Sequence, residues 1–176
     1  MVGNSGSGKS RLGRALACRL GVHYVELDAL FHLPNWGERP LDDFKALITE
    51  RMAADGWVVD GNYRQAVSDV VWPKADTVVW LDLPRARVMR QVIGRTLRRT
   101  ITREELWSGN REPLRNLYGW DPKTSIIRWS WTQHQKYVSR YEAAMADPAL
   151  GHVTFVRLRS RADATAWLAG LPPPDR

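Results

Sequence analysis

The sequence is poor in cysteine and has no long apolar run. Cys18 is the only cysteine among 176 residues, which excludes an intramolecular disulfide and a metal site built from several cysteine thiolates. We expect Cys18 to be a small buried side chain of the first helix rather than a reactive thiol. No apolar run approaches the roughly 20 residues that a transmembrane helix needs, and the first residues form a glycine-rich motif rather than a signal peptide. We therefore expect a cytoplasmic protein with no membrane partner.

Acidic residues are also in the minority. The chain carries 26 Lys and Arg against 19 Asp and Glu, a formal net charge of +7. This charge favours an anionic partner, but its sign does not separate a nucleotide from another phosphorylated metabolite or from DNA. Arginines concentrate in one short stretch, at positions Arg85, Arg87, Arg90, Arg95, Arg98, Arg99 and Arg103. Because one guanidinium group can donate two parallel hydrogen bonds to phosphate oxygens, the clustering indicates a dedicated phosphate-binding site.

The most informative stretch is Gly3-Asn4-Ser5-Gly6-Ser7-Gly8-Lys9-Ser10, which matches the nucleotide-binding P-loop pattern G-x-x-x-x-G-K-S. Its glycines let successive backbone N–H groups point at phosphate oxygens, and a following helix adds its positive end. Lys9 is expected to reach the β- and γ-phosphates, and the Ser10 hydroxyl to bind Mg²⁺. Leucines at four-residue spacing predict that helix from Lys9 to Leu20, ended by Gly21.

Little sequence precedes this motif. A P-loop normally follows a buried β-strand, yet only Met1 and Val2 stand before Gly3. Either the true start lies upstream and the first strand is truncated, or the sheet has a stunted middle strand, and we favour the first of these.

Two aspartates follow predicted strands, where an open α/β sheet places its ligands. Asp28 follows the strand 23–27 and is the first candidate for a catalytic carboxylate, with a helix cap or turn as the alternative interpretation. Asp60 ends the apolar run 57–60 in the manner of a Walker-B carboxylate, which supports the Mg²⁺ shell. Gly61 follows it rather than a glutamate, which favours phosphate transfer over an ABC or AAA+ type of ATPase. His32 fits a substrate contact and an ordinary loop histidine equally well.

Strands and helices alternate along the chain, with further strands predicted at 77–84 and 153–158. The pattern predicts an α/β fold with a mainly parallel sheet and helices on both faces, in a single domain over 1–176.

A capping-box pattern predicts a short helix over 102–107, and the segment 95–124 is predicted to form an arginine-rich, lid-like insertion. A long helix over 125–145 is predicted to carry a buried stripe of Ile127, Trp131, His134, Val138, Tyr141 and Met145. The nine tryptophans are expected in the core or over the cleft, but nothing in the sequence indicates which of them contact a ligand.

The order of these pieces resembles the nucleoside-monophosphate-kinase and shikimate-kinase group of P-loop kinases, and most of all the adenylate-kinase-related topology-modulation (FlaR-type) proteins. The resemblance is carried by the P-loop and by four further blocks, Leu-Asp-Ala-Leu at 27–30, Trp-Val-Val-Asp-Gly-Asn-Tyr-Arg at 57–64, Ala-Asp-Thr-Val-Val-Trp-Leu-Asp-Leu-Pro at 75–84 and Leu-Arg-Ser-Arg at 158–161. It implies a three-layer α/β/α fold with a parallel five-stranded sheet in the order 2-3-1-4-5.

The resemblance also implies roles for individual residues. Arg64, with Asn62 beside it, matches the arginine that holds the acceptor phosphate in adenylate kinases, and Asp28 matches an aspartate near the acceptor hydroxyl in shikimate-type kinases. Arg95 matches the lid-base arginine that neutralises the transferring phosphate, and Arg99 is expected to contact the nucleotide with it. The block 158–161 would flank the adenine. Asn62-Tyr63 replaces Phe-Pro, so the acceptor need not be AMP, and the lid lacks four cysteines, so no zinc is expected.

We therefore expect ATP-dependent phosphoryl transfer to a small acceptor, either a nucleoside monophosphate or a hydroxylated metabolite. Lys9, Asp28 and Arg95 are the expected catalytic residues, Ser10 and Asp60 the expected Mg²⁺ ligands, and Asp28, His32, Asn62 and Arg64 the expected acceptor contacts. The alternative is a nucleotide-dependent DNA-binding, topology-modulating regulator whose basic stretch contacts duplex phosphates, although no readout module is apparent. The oligomeric state, monomer or homodimer, stays open.

Overall fold

The computed structural model describes residues 1–119 and 125–172, and within those ranges the chain has an α/β fold. Its strands are β1 Val2–Gly3, β2 His23–Glu26, β3 Trp57–Asp60, β4 Thr77–Leu81 and β5 Thr154–Leu158. Its helices are α1 Lys9–Leu20, α2 Leu27–Phe31, α3 Leu41–Arg51, α4 Arg64–Ala66, α5 Arg85–Thr102, α6 Arg115–Tyr118, α7 Ile126–Met145 and α8 Arg161–Ala169. No helix in the described ranges is both long and apolar enough to cross a membrane.

The strands form two small parallel sheets rather than the single predicted five-stranded one. One sheet has the order β1-β4-β5 and the other pairs β2 with β3. Two hydrogen bonds join the sheets, because the Met1 nitrogen donates to the Val59 carbonyl at 2.6 Å and the Gly61 N–H donates to the Met1 carbonyl at 3.3 Å. The ladder is interrupted here because β1 is only two residues long.

Helices cover both faces of the strands. Successive residues of a strand point to opposite faces, and β4 accordingly sends Val78 and Trp80 to one apolar cluster and Val79 and Leu81 to another. The first cluster packs against α3 and α7, and the second against α1 and α8. A strand that is apolar on both faces is typical of a sheet between two helical layers.

Two predictions about the helices are wrong. No helix spans 102–107, because α5 continues to Thr102, whose hydroxyl donates to the Arg98 carbonyl within the last turn and does not cap a new helix. The chain then turns at Arg103, which has a φ of 49°. Cys18 is exposed rather than buried, since α1 turns Leu12, Gly13, Leu16 and Ala17 inward.

The buried face of α7 also differs from the predicted stripe. The helix itself is confirmed, but Trp131 and Met145 are 53% and 44% exposed. The side chains that it buries are Ser130, Tyr137, Tyr141 and Ala144. Hydrophobic periodicity missed this face because Ser130, a polar residue, is fully buried in hydrogen bonds to the glycine-rich loop.

The predicted lid-like insertion is described in part. Residues 95–119 contain the end of α5, a 3-10 turn at Trp107–Gly109 and the short helix α6. A bridge between Glu105 and Arg111 closes this turn. The remaining lid residues, 120–124, lie outside the described residues.

Candidate functional site

One large cleft, of about 1150 Å³, brings most of the predicted site residues together. We call the part formed by Gly3–Ser10 and Arg95 the loop end. The part formed by Asp28, His32, Trp36, Tyr63 and Trp107 is called the aromatic end. Of the predicted residues, the cleft is lined by Ser5, Gly6, Gly8, Lys9, Ser10, Asp28, His32, Asp60, Asn62, Arg95 and Arg99.

Glycines shape the loop end. Gly6 and Gly8 have φ values of 79° and 97°, which favour glycine over any residue with a Cβ. At Gly6 a Cβ atom would also overlap a methyl group of Val92, so the close approach of α5 depends on its absence. Gly8 caps α1, and no side chain accepts a hydrogen bond from the first N–H groups of that helix. A helix start left uncapped by side chains is suited to binding an anion.

The residues beneath the loop fix it to α7. The Asn4 amide donates to the Ser130 carbonyl at 2.7 Å and accepts from the Ser5 N–H at 2.8 Å. The Ser130 hydroxyl donates to the Ser5 carbonyl at 3.2 Å. Asn4 and Ser7 are each only 4% exposed. Asn4, Ser7 and Gly3 are therefore positioned to set the shape of the loop rather than to line the cleft.

Lys9 lies folded back along the loop. Its Nζ donates to the Asn4 carbonyl at 3.1 Å. Burial lowers the pKa of Lys9, while the nearby carboxylates of Asp60 and Asp28 oppose that shift. A half-buried ammonium whose described acceptor is a neutral carbonyl is suited to receive an anionic ligand.

Arg95 reaches the loop from the middle of α5. Its guanidinium donates to the Ser5 hydroxyl at 3.0 Å, across 90 residues of sequence. Burial, and then the charge of Arg99, lower the pKa of Arg95. Arg99 lies within 4.0 Å of two carboxylates, those of Glu104 and Glu112. Within the described part of the chain Arg95 has no such ion pair, so its charge is available to a ligand.

Asp60 has an oxygen atom that the described protein leaves unpaired. Its Oδ2 accepts from the Tyr24 hydroxyl at 3.0 Å, whereas Oδ1 is buried and has no partner among the described residues. Such an atom fits a cation. The described residues contain no group of three or more His, Cys, Asp and Glu that could hold a metal by themselves. A Mg²⁺ ion here would take Asp60 and Ser10 together with phosphate oxygens and water, a ligand set that Mg²⁺ commonly has.

Asp28 anchors the aromatic end. It lies in the first turn of α2 rather than in a loop, and it caps no helix, since no side chain caps α2. Instead its Oδ1 accepts from the Tyr63 hydroxyl at 2.7 Å. Burial raises the pKa of Tyr63 well above its usual value, so that the phenol stays protonated and donates.

Three rings line the same cleft as Asp28. The His32 ring stacks on Trp107 at 5.6 Å and meets the edge of Trp36 at 5.2 Å. Burial lowers the pKa of His32, which keeps the imidazole neutral near pH 7. His32 Nε2 is 3.5 Å from the Tyr63 hydroxyl. The aromatic end thus combines uncharged rings with the carboxylate of Asp28.

The tryptophans of this wall were missed by sequence reasoning, and Asn110 explains how they meet. Its side chain accepts from the Trp36 N–H at 2.8 Å and donates to the Leu33 carbonyl at 2.9 Å. Asn110 thereby ties the segment 33–36 to the turn that carries Trp107. Nothing local in the sequence marks this contact between segments about 75 positions apart.

Two of the predicted acceptor contacts have other surroundings. The Asn62 side chain is occupied by the protein, since it accepts from the Gly3 N–H at 3.1 Å and the Tyr141 hydroxyl at 2.8 Å, and donates to the Gly3 carbonyl. Arg64 does not line the cleft. It is exposed at the start of α4 and borders a separate groove beside Arg140.

Comparisons of the chain with protein-family models, with curated proteins and with solved structures found no match.

Proposed function

We propose that the protein is a magnesium-dependent phosphotransferase that moves the terminal phosphoryl group of ATP to a small acceptor. The observation that carries the proposal is the hydrogen bond between Arg95 and Ser5, because it sets a half-buried guanidinium, which has no ion-pair partner among the described residues, on the same loop as Lys9. Two half-buried cations beside uncapped helix N–H groups match the charge of a polyphosphate. The carboxylates Asp28 and Asp60 border the same cleft.

The finer fold is part of the proposal. We assign the chain to the three-layer P-loop kinases with strand order 2-3-1-4-5, as the resemblance in the sequence implies. The two hydrogen bonds of Met1 to β3 support that order because they set β3 beside β1.

Each residue of the loop end has a role in this proposal. The N–H groups at the start of α1 and the Lys9 ammonium hold the donor phosphates. Ser10 and Asp60 would hold a Mg²⁺ ion, and its charge would neutralise part of the charge on the phosphates. Arg95 stabilises the charge that spreads over the transferred group, and the cleft walls keep donor and acceptor aligned. Such chemistry depends on positioning and electrostatics more than on covalent steps by the protein.

The direct test measures ADP formation from Mg-ATP in the presence of nucleoside monophosphates, nucleosides and small hydroxylated metabolites. We expect ADP formation to depend on an acceptor and to disappear in Lys9→Ala. Lys45→Ala is the matched control, because Lys45 pairs with Asp69 and does not line the cleft. ATP binding without acceptor-dependent ADP from any of these compounds would contradict the proposal.

The rival function is nucleotide-dependent DNA binding, favoured by the exposed arginines Arg87, Arg90, Arg98 and Arg103. Phosphate contacts of this kind give salt-sensitive, sequence-independent binding. The test compares duplex DNA binding by the wild type and by Lys9→Ala. If the variant no longer binds ATP but binds DNA as well as the wild type does, the result favours the regulatory function and shows that the basic stretch acts independently of the loop.

A further inference from the structure

We infer that the acceptor is an uncharged ring compound bearing a hydroxyl group, such as a nucleoside or a sugar, and not a nucleoside monophosphate. The inference rests on the proposed function and names its substrate class. It is carried by the contrast between the aromatic end of the cleft and the loop end.

Within the described residues, the segments that build the aromatic end place no arginine or lysine on the wall of the cleft. Arg64, the residue expected to bind an acceptor phosphate, borders a different groove. Within the described residues, the arginines that line the cleft belong to α1, α5 and α8, and they are Arg11, Arg14, Arg87, Arg90, Arg95, Arg99 and Arg161. None of these lies on α2, on the segment 32–36, next to Tyr63 in sequence or in the turn at Trp107–Gly109, which supply the residues of the aromatic end. Of them, Arg95 is held by the loop and Arg99 by two glutamates.

Two carboxylates lie at the aromatic end: Asp28 bonds to Tyr63, and Glu38 pairs with His32 in a backbone bridge and lines the cleft. Among the described residues neither has an arginine or lysine within ion-pair distance, whereas Glu112, which also lines the cleft, has Arg99 at 3.8 Å. A phosphate dianion placed among these groups would be repelled by them, which disfavours a nucleoside monophosphate.

The rings of the aromatic end suit an uncharged acceptor. Trp36 and Trp107 meet at nearly a right angle, 82°, with centroids 6.5 Å apart, and the neutral ring of His32 contacts both. Such faces pack against a base or against the apolar face of a sugar. The neighbouring Asp28 carboxylate can only accept hydrogen bonds when ionised, and a hydroxyl group supplies the donor.

Asp28 would act as the proton acceptor in this reaction. Tyr63 holds Oδ1, and no described residue donates to Oδ2. The acceptor oxygen forms a bond to the terminal phosphorus of ATP while the bond from that phosphorus to the bridging oxygen breaks and ADP leaves. The hydroxyl proton passes to Asp28, which later returns it to water. A phosphate acceptor needs no such base, so the placement of Asp28 favours a hydroxyl group.

Matched acceptor pairs test the inference. ADP formation is measured with Mg-ATP and each of four nucleosides against its 5′-monophosphate, and with a set of hexoses against their 6-phosphates. We expect kcat/KM for the uncharged members to exceed that of their phosphorylated partners by about 10²-fold, and nucleoside and sugar arms to identify the ring. Phosphorylation of monophosphates alone would overturn the inference and leave the proposed function intact. If none of the compounds supports ADP formation, both the inference and the proposed function are overturned.

Variants separate the base from the ring wall. Asp28→Asn should lower kcat for the best uncharged acceptor by about 10²- to 10⁴-fold with little change in KM. Trp107→Ala should raise KM on the order of tenfold with a smaller effect on kcat. Trp131→Ala is the control, because that ring is exposed and does not line the cleft. If Asp28→Asn is unstable, Tyr63→Phe keeps the ring and removes its hydrogen bond to Asp28. Unchanged kcat in a folded Asp28→Asn or Tyr63→Phe variant would overturn the role of Asp28.

Discussion

The two ends of the cleft are built in different ways. The loop end is built from the backbone N–H groups of eight consecutive residues, Gly3–Ser10, and from Arg95, which α5 contributes. The aromatic end uses side chains from α2, from the segment 32–36, from Tyr63 and from the turn at Trp107–Gly109. The first arrangement is fixed locally and is rich in positive charge, whereas the second depends on tertiary contacts and is uncharged or acidic. We therefore expect an anion to bind at the loop end and an uncharged ring to bind at the aromatic end.

The largest expected effect comes from removing the contact between Arg95 and Ser5 at the loop end. Arg95→Ala should reduce kcat by about 10³-fold, since an arginine that stabilises transferring phosphate contributes on that scale. ATP affinity, measured by calorimetry, should change much less because the loop and Lys9 remain. Arg98→Ala on the same helix is the control, as Arg98 is exposed and pairs with Glu104. Equal losses in kcat for both variants would show that α5 acts through general positive charge and not through Arg95.

A second effect concerns the glycines that shape the loop end. Gly6→Ala combines a positive φ with overlap on Val92, whereas a Cβ at Gly8 meets nothing within 4 Å. We expect Gly6→Ala to cost about 3 kcal/mol of unfolding free energy and Gly8→Ala about 1 kcal/mol. Urea unfolding of the two variants measures the difference. If both lose the same stability, α5 is not packed against the loop as described.

The loop end was largely predictable from sequence, for a physical reason. A site made from backbone N–H groups requires glycines at fixed spacing and a helix directly after them, so Gly3–Ser10 and α1 could be read together. Asp60 was also predictable because it follows an apolar strand. Arg95 was reached only through resemblance, since the spacing of residues does not show which face of α5 meets the loop.

The aromatic end could not be predicted in the same way. Trp36 and Trp107 meet because Asn110 bonds to the segment 33–36, and no periodicity records that contact. The same limit explains Arg64, whose place outside the cleft follows from where α4 begins. It also explains Ser130, a polar residue on the buried face of α7.

A third effect tests the connection between the strand ends beneath the cleft. Asn62 holds Gly3 through both its oxygen and its nitrogen, and Tyr141 adds a third bond. Asn62→Asp replaces the donor by an oxygen that faces the Gly3 carbonyl, so we expect a loss of about 2 kcal/mol in unfolding free energy. Tyr141→Phe removes one of the bonds and should cost about 1 kcal/mol. Chemical denaturation measures both losses. An Asn62→Asp variant with the unfolding free energy of the wild type would contradict the bonds to Gly3 and would leave the Asn62 side chain free to contact the acceptor.

The smallest effect sharpens the contrast in charge between the two ends. Burial holds the pKa of His32 below its usual 6.5, so the unfolded chain takes up a proton first as the pH falls. The folded state therefore loses stability as the pH falls through 6.5 towards the folded pKa, and this contribution to stability is fully present only above 6.5.

His32→Gln removes that titration, so the variant should lose less stability than the wild type between pH 7.5 and lower pH. Urea unfolding at a series of pH values measures the difference, with the pair at pH 8 serving as the reference for the packing cost of the substitution. Parallel curves for the two proteins would mean that His32 takes up its proton equally easily in the folded and unfolded chains. The aromatic end would then carry positive charge in mild acid, and its preference for an uncharged acceptor over a phosphorylated one would weaken there, because the imidazolium would offset the neighbouring carboxylates.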